Sequence, residues 1–164
     1  MPRIKIDLPG QFSFTTVIPV RITDLNYGGH VGNDSVLSLL HEARVQFLRH
    51  YGYGELNLAG VGIIMGDVAI EFKKEIFYGD ILRVSVTAGE FSSVGFTLFY
   101  KIERESSASE VQASDSLLVT ARTGMVCYDY AKKKVAPVPG EVIAKLAPPP
   151  GPPHSISSSS LPPG

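Results

Sequence analysis

The chain has 164 residues, of which 44% are hydrophobic and 19% charged, and its formal net charge is −1. These values predict one domain with a buried core and no general attraction to nucleic acid or to an anionic membrane. No segment reaches the roughly 20 consecutive apolar residues that cross a bilayer, and the N-terminus has no apolar run of the signal-peptide kind. The single cysteine, Cys127, excludes an internal disulfide and a cysteine-based metal site. We therefore expect a cytoplasmic protein.

Residues 13–22 predict the first strand, because polar and apolar side chains alternate there with a period of two. The residues that share its apolar face are Phe14, Thr16, Ile18, Val20 and Ile22. Pro19 has no backbone N–H to give to a neighbouring strand, so it indicates a sheet edge or a bulge.

Residues 34–50 predict a long helix. Apolar side chains recur at the spacing of one helical face, at Val36, Leu40, Ala43 and Phe47. Three more leucines widen this face, and a surface so broadly apolar predicts that a sheet wraps around the helix. His41 falls on the side shared with Leu37 and Leu48, so we expect a partly buried, hydrogen-bonded histidine.

The chain after residue 60 predicts four long strands in a meander. Alternation runs through four segments, at 61–77, 81–91, 96–105 and 116–130. We expect turns at 78–80, between Gly89 and Gly95, and at 106–109. The lysines at 132–134 predict a surface turn. Residues 147–164 are rich in proline and serine and predict a disordered tail outside a folded domain of residues 1–146.

The segment between the first strand and the helix, residues 22–34, is the candidate site. It crowds together two carboxylates, two amides, one imidazole and three glycines, at Asp24, Asp34, Asn26, Asn33, His30, Gly28, Gly29 and Gly32. Part of this is ordinary structural chemistry, because Asn33 and Asp34 are good helix N-cap residues worth about 1 kcal/mol. The glycines suit a tight turn, and Asp24 suits an Asx-turn. In an extended chain, Asp24 and Asn26 would point to one face.

Four stretches in this order and spacing resemble a known family. The first is Asp24 to Asn33, the second is His41 to Arg44 on the helix, the third contains Gly79 and Asp80, and the fourth is 121–139. Together they resemble the hotdog-fold acyl-CoA thioesterases of the 4-hydroxybenzoyl-CoA thioesterase-like branch. The resemblance implies an α+β hotdog fold, in which an antiparallel sheet wraps around one long central helix. It also implies a homodimer or tetramer that acts on an acyl-CoA or acyl carrier protein thioester without metal or organic cofactor.

The resemblance gives the crowded segment a chemical interpretation. Backbone N–H groups of Gly29 and His30, near the positive end of the helix, are suited to polarise a thioester carbonyl. Asp34 or Asp24 is then the general base, and Asn26 orients the substrate or a water molecule. We expect His30 to fix the loop or the geometry of a donor, and we expect Gly28, Gly29 and Asn33 to contact the substrate.

The sequence departs from the family pattern at the second aspartate, which is Asn26 here, and an amide cannot accept a proton from water. His41 replaces the helix glutamate. Two other functions therefore stay open. One is a hotdog hydratase, which uses an aspartate and a histidine near this position, although His30 is one residue further along than in those enzymes. The other is a hotdog protein that binds acyl groups without catalysis.

Overall fold

The computed structural model describes residues 3–106 and 116–148. The strands are β1 (Phe14–Pro19), β2 (Gly62–Phe72), β3 (Ile81–Gly89), β4 (Gly95–Ser106), β5 (Leu117–Asp129) and β6 (Lys134–Val135), and the α-helices are α1 (Asn33–His50) and α2 (Gly140–Leu146). In these ranges, no helix combines the length and the apolar character that crossing a membrane requires. The predicted loop at 106–109 lies, from residue 107 onward, outside the described residues, and so does the predicted tail from residue 149 onward.

The strands form one antiparallel sheet in the order β1-β3-β4-β5-β2, with the short β6 paired to β5. Strands β3, β4 and β5 follow one another as predicted. The prediction of a four-strand meander is wrong for β2, which pairs with β5 rather than with β3. Alternation identifies the buried face of a strand but not its neighbour. The connection from β2 to β3, residues 73–80, therefore runs from one edge of the sheet towards the other.

The first strand is shorter than predicted. It ends at Pro19, lies at a sheet edge as its proline indicated, and pairs only with β3. A single 3-10 turn, Ile22–Asp24, follows it, and Ile22 is 65% exposed rather than part of the apolar face. Because the chain turns here, the expectation that Asp24 and Asn26 share one extended face is wrong: Asp24 is buried and Asn26 is exposed.

Helix α1 begins one residue before its predicted start and lies against β1 and β3. All four residues of its predicted apolar face are buried, and Leu40, Ala43 and Phe47 have no exposed surface. Burying a leucine or a phenylalanine stabilises a fold by about 1.5–3 kcal/mol, so this face is a large part of the core. Cys127 of β5 belongs to the same core. The predicted α+β arrangement, an antiparallel sheet around one long helix, is confirmed.

The N-terminal segment crosses the face of the sheet that points away from α1. Ile6 is buried and its backbone N–H donates to Oε1 of Glu71 on β2 at 2.7 Å. Further along, Nζ of Lys101 on β4 lies 5.0 Å from the ring centre of Phe12. Residues 6–12 therefore span the outer face from the β2 edge to the middle of the sheet.

The sequence analysis missed β6 and α2. Strand β6 returns antiparallel to β5 after the lysine turn, which lies on the surface as expected. Helix α2 buries Val142 and Leu146. Its Glu141 accepts a hydrogen bond from the Tyr53 hydroxyl at 3.2 Å. The helix has only seven residues, too few for a clear helical period.

Candidate active site

The loop between the 3-10 turn and α1 is a tight turn closed by Asn26. The backbone N–H of Asn26 donates to the His30 carbonyl at 2.8 Å, and Oδ1 of Asn26 accepts the Gly28 N–H at 2.9 Å. The Gly29 N–H donates to the Asn26 carbonyl at 3.2 Å, and Gly29 has φ +78°. That conformation suits glycine. The turn interpretation is confirmed here. The expectation that the Gly29 N–H polarises a thioester carbonyl is wrong, because the Asn26 carbonyl already accepts it.

Asp24 lies apart from this turn. Its Oδ2 accepts the Arg21 backbone N–H at 2.8 Å, and its own carbonyl accepts the Gly32 N–H at 3.2 Å. The carboxylate faces a depression of about 440 Å³ between β1 and α1, which Ser38 and His41 also line. These contacts give Asp24 the task of holding the 3-10 turn and the entry to the helix.

The start of α1 carries no side-chain cap. The N-cap residue is Gly32, so the expectation that Asn33 or Asp34 caps the helix is wrong. Within residues 3–106 and 116–148, no group accepts a hydrogen bond from the backbone N–H groups of His30, Asn33, Asp34 and Ser35. Unpaired amides at a helix N-terminus are a ready site for an oxygen with negative charge.

Asp34 and Asn26 lie on either side of Gly32. A Cβ atom on Gly32 would lie 2.7 Å from Oδ1 of Asp34 and 3.5 Å from Cβ of Asn26. The φ of Gly32 is −72°, so its value here is the space it leaves and not an unusual backbone angle. The distance to Asn26 is an ordinary van der Waals contact, so a larger residue at this position would displace the carboxylate of Asp34.

His30 connects this pair to a carboxylate that the sequence analysis missed. Its Nδ1 lies 3.5 Å from Nδ2 of Asn26 and 3.5 Å from the Val31 carbonyl oxygen. Its Nε2 lies 3.9 Å from Oε1 of Glu75. The loop therefore carries a row of polar side chains that continues to the β2–β3 connection, in the order Asp34, Asn26, His30 and Glu75.

A cavity of about 200 Å³ opens beside this row. His30 and Asn33 form one side of it, and Phe72 at the end of β2 together with residues 73–76 of the β2–β3 connection forms the other. Val36 and Val119 give it an apolar lining. The Val31 N–H donates to the Ile76 carbonyl at 2.8 Å, which joins the two sides. The cavity therefore lies between the loop before α1 and a segment that is more than 40 residues later in the sequence.

A buried ion pair fixes that wall. Nε of Arg104 on β4 lies 3.1 Å from Oδ2 of Asp80, and the two side chains are 9% and 2% exposed. Nη2 of Arg104 also donates to the Glu75 carbonyl at 2.8 Å, and Asp80 accepts the Phe77 N–H at 2.9 Å. Gly79, with φ +93°, makes the turn. The Gly-Asp turn expected from the sequence is therefore the support of the cavity wall.

The sequence profile of the thioesterase-like superfamily matches residues 20–146. This chain belongs to the thioesterase-like superfamily. Among solved structures, it is similar to Slr0204, a 1,4-dihydroxy-2-naphthoyl-CoA thioesterase from Synechocystis, at 26% identity and a TM-score of 0.69 over 83% of this chain and 98% of that one. It is also similar to the hypothetical protein TT1821 from Thermus thermophilus, at 25% identity and a TM-score of 0.68 over 80% and 95% of the two chains.

A third solved structure shares the fold of this thioesterase-like chain. It is a DHNA-CoA thioesterase from Staphylococcus aureus, with 19% identity and a TM-score of 0.64 over 75% of this chain and 78% of that one. The hotdog fold and the family expected from the motifs are confirmed. Among the residues that the structure describes, no group of three or more His, Cys, Asp or Glu side chains could hold a metal ion.

The middle of α1 in this thioesterase-like domain carries a buried polar network. Nε of Arg44 donates to Glu55 at 2.7 Å, Nη1 of Arg44 donates to the Tyr100 hydroxyl at 3.4 Å, and that hydroxyl lies 2.9 Å from Oγ1 of Thr123. Burial alone would raise the pKa of Glu55, but hydrogen bonds from Arg44 and His41 together lower this pKa below its ordinary value. Burial raises the pKa of the Tyr100 phenol. This network joins the helix to β4 and β5 and lies away from the cavity.

His41 takes part at the rim of that network. It is exposed rather than partly buried as expected, and its Nε2 lies 3.1 Å from Oε2 of Glu55. The predicted hydrogen bond is therefore present without the burial. The helix position at which the family has a glutamate serves here to hold Glu55.

Proposed function

We propose that this chain hydrolyses acyl-CoA thioesters in the cavity beside the start of α1. The observation that carries the proposal is the uncapped helix N-terminus, because His30 and Asn33, two residues with unpaired amides, line the cavity. Family membership supports hydrolysis of a thioester, and the similarity to Slr0204, which is a CoA thioesterase by name, supports coenzyme A as the carrier.

The reaction begins with the carbonyl oxygen of the thioester held by amides of the helix start. His30 and Asn33 line the cavity, so their backbone N–H groups are the proposed donors. Such donors stabilise the negative charge that develops on the oxygen in the transition state. The apolar lining from Val36 and Val119 receives the acyl group.

The proposed general base is Asp34 rather than Asp24. Asp34 is exposed and lies over Gly32 next to Asn26, whereas Asp24 is buried and bonded to Arg21. Asp34 accepts a proton from water while the water oxygen bonds to the carbonyl carbon, and Asn26 orients that water through its amide. The C–S bond then breaks and releases the carboxylic acid and the thiol of coenzyme A. A carboxylate base of this kind contributes roughly 10²–10⁴-fold to the rate.

A homodimer is part of the proposal. Strand β2 lies at one edge of the sheet, pairs only with β5 within the described chain, and is 11 residues long. It exposes apolar side chains at Ile64, Met65, Val68 and Phe72. A long apolar edge strand favours pairing with another chain, and a second copy in antiparallel register satisfies the two-fold symmetry of a dimer. Light scattering gives the mass in solution, and Val68→Lys is expected to shift it towards the monomer.

Thiol release from a panel of acyl-CoAs tests the hydrolase proposal. The wild type is expected to release coenzyme A, and Asp34→Asn and Asn26→Ala are expected to lower kcat by about tenfold or more. Asp24→Asn serves as the contrast, because its effect is expected on stability before activity. Addition of water to a trans-2-enoyl-CoA without thiol release would instead indicate the hydratase. Tight acyl-CoA binding with neither reaction would indicate the non-catalytic protein.

A further inference from the structure

Glu75 has no role in the proposed hydrolysis, although its backbone is held in place by hydrogen bonds. Its carboxylate lines the cavity and lies 3.9 Å from Nε2 of His30. Its backbone is fixed on both sides, because Arg104 holds its carbonyl and Val31 holds the carbonyl of Ile76. The side chain of Glu75 is 64% exposed, so it does not contribute to the packing of the core.

We propose that Glu75 is a positioning residue that holds His30 as the proton donor to the departing sulfur. The inference rests on the proposed hydrolysis and deepens it, since it assigns the proton that the leaving thiol needs. It gives two carboxylates different tasks: Asp34, next to Gly32, acts on the water, and Glu75, which lines the cavity, acts on the histidine.

The two ring nitrogens of His30 face different groups. Nδ1 faces Asn26 and the Val31 carbonyl oxygen, and Nε2 faces Glu75. Two lysines, Lys73 and Lys74, also line the cavity. Nζ of Lys73 lies 3.7 Å from Oε2 of Glu71, so Lys73 is paired with a carboxylate other than Glu75. A carboxylate next to an imidazole stabilises the positive charge that the ring carries while protonated. At 3.9 Å the carboxylate is too far from Nε2 for a direct hydrogen bond, so it acts through its charge and leaves the Nε2–H available to the sulfur.

The step balances without any further reactant. The water oxygen forms its bond to the carbonyl carbon and its proton goes to Asp34. The C–S bond breaks, the electron pair stays on sulfur, and the Nε2 proton of His30 goes to that sulfur. Asp34 then releases its proton to solvent and His30 takes one up again.

The leaving group provides the test. The substrates are an acyl-CoA that the wild type hydrolyses and the thioester of the same acid with 4-nitrothiophenol, whose thiolate leaves without needing a proton. The variants are Glu75→Gln and Glu75→Asp. Glu105→Gln is the matched control, because it makes the same chemical change in an exposed ion pair with Arg83 away from the cavity.

Glu75→Gln is expected to lower kcat on the acyl-CoA by about tenfold or more, a part of what a positioned acid supplies. On the nitrothiophenyl ester its kcat is expected to stay near that of the wild type. Glu75→Asp, which keeps the charge on a shorter side chain, is expected to fall between the two, and Glu105→Gln is expected to match the wild type on both substrates.

Two results would overturn the inference while leaving the hydrolysis in place. One is a Glu75→Gln variant that retains full activity on the acyl-CoA. The other is an equal loss on both substrates, which would give Glu75 a role that does not depend on the proton to sulfur. A wild type that hydrolyses neither thioester would overturn both the proposed function and this inference.

Discussion

Replacing Asp80 with alanine removes one half of the buried ion pair that supports the cavity wall. The guanidinium of Arg104 would then keep only its bond to the Glu75 carbonyl, and the Phe77 N–H would lose its acceptor. Breaking a buried ion pair by removing one partner costs about 3–5 kcal/mol of the free energy of unfolding. Because Arg104 retains one partner, we expect the lower end, about 3 kcal/mol, which corresponds to a fall in Tm of about 6–12 °C for a domain of this size.

The control for Asp80→Ala is Glu105→Ala, which removes one half of a second ion pair, between Arg83 on β3 and Glu105 on β4. Arg83 and Glu105 are 3.4 Å apart, but their side chains are 44% and 38% exposed. An exposed pair of this kind contributes only about 0–1 kcal/mol. Urea unfolding of both variants measures the two losses. A loss below about 1 kcal/mol for Asp80→Ala, or equal losses for the two variants, would refute the argument that burial makes this pair structural.

Three further predictions concern the helix start, the network around Glu55 and the cysteine. Gly32→Ala is expected to lower kcat by about tenfold, because the new Cβ would lie 2.7 Å from Oδ1 of Asp34 and displace the proposed base, while urea unfolding shows a domain that still folds. Glu55 has a lowered pKa in the folded state, so it stabilises the protein above its unfolded-state pKa. That contribution is expected to be lost as pH falls through the folded value, and Glu55→Gln is expected to flatten the dependence of unfolding free energy on pH below about 4.5. Cys127 is fully buried and burial raises the pKa of its thiol, so a thiol reagent is expected to react with it only after unfolding.

Each of these predictions has an outcome that contradicts it. Full activity of Gly32→Ala would mean that Asp34 does not need its present position. An unchanged pH dependence in Glu55→Gln would mean that its hydrogen bonds to Arg44 and His41 do not persist in solution. Rapid labelling of Cys127 in the native protein would show that β5 opens to solvent, and it would add a background to the thiol-release assay.

The sequence predicted those parts of the fold that depend on local periodicity. Helix α1 was predicted within one residue of its start, since its apolar positions repeat along four turns. The pairing of β2 with β5 was missed, because alternation carries no information on which strand lies next to which. The N-cap was also predicted wrongly. Asn and Asp are statistically favoured at the N-cap, but the backbone places Gly32 at that position.

The candidate site was predicted where its residues are neighbours in the sequence. The loop with Asn26, His30 and Asp34 stood out by composition alone, and the structure places His30 beside Asn26 and Asp34 beside Gly32. Glu75 and Arg104 gave no such signal. They lie in segments whose sequence pattern predicts only a strand and a turn. The β2–β3 connection must cross the sheet before Glu75 comes close to His30 and to Arg104.

The contact between Ile6 and Glu71 has a consequence for how the protein is made. Ile6 leaves the ribosome 65 residues before the carboxylate that accepts its N–H. The strand that carries this carboxylate, β2, pairs with β5, which is synthesised later still. Pairings between distant parts of a chain form late because the loop between them must close first. The segment around Ile6 is therefore among the last parts of this domain to reach its final place, and a nascent chain stalled before β5 would leave it unattached.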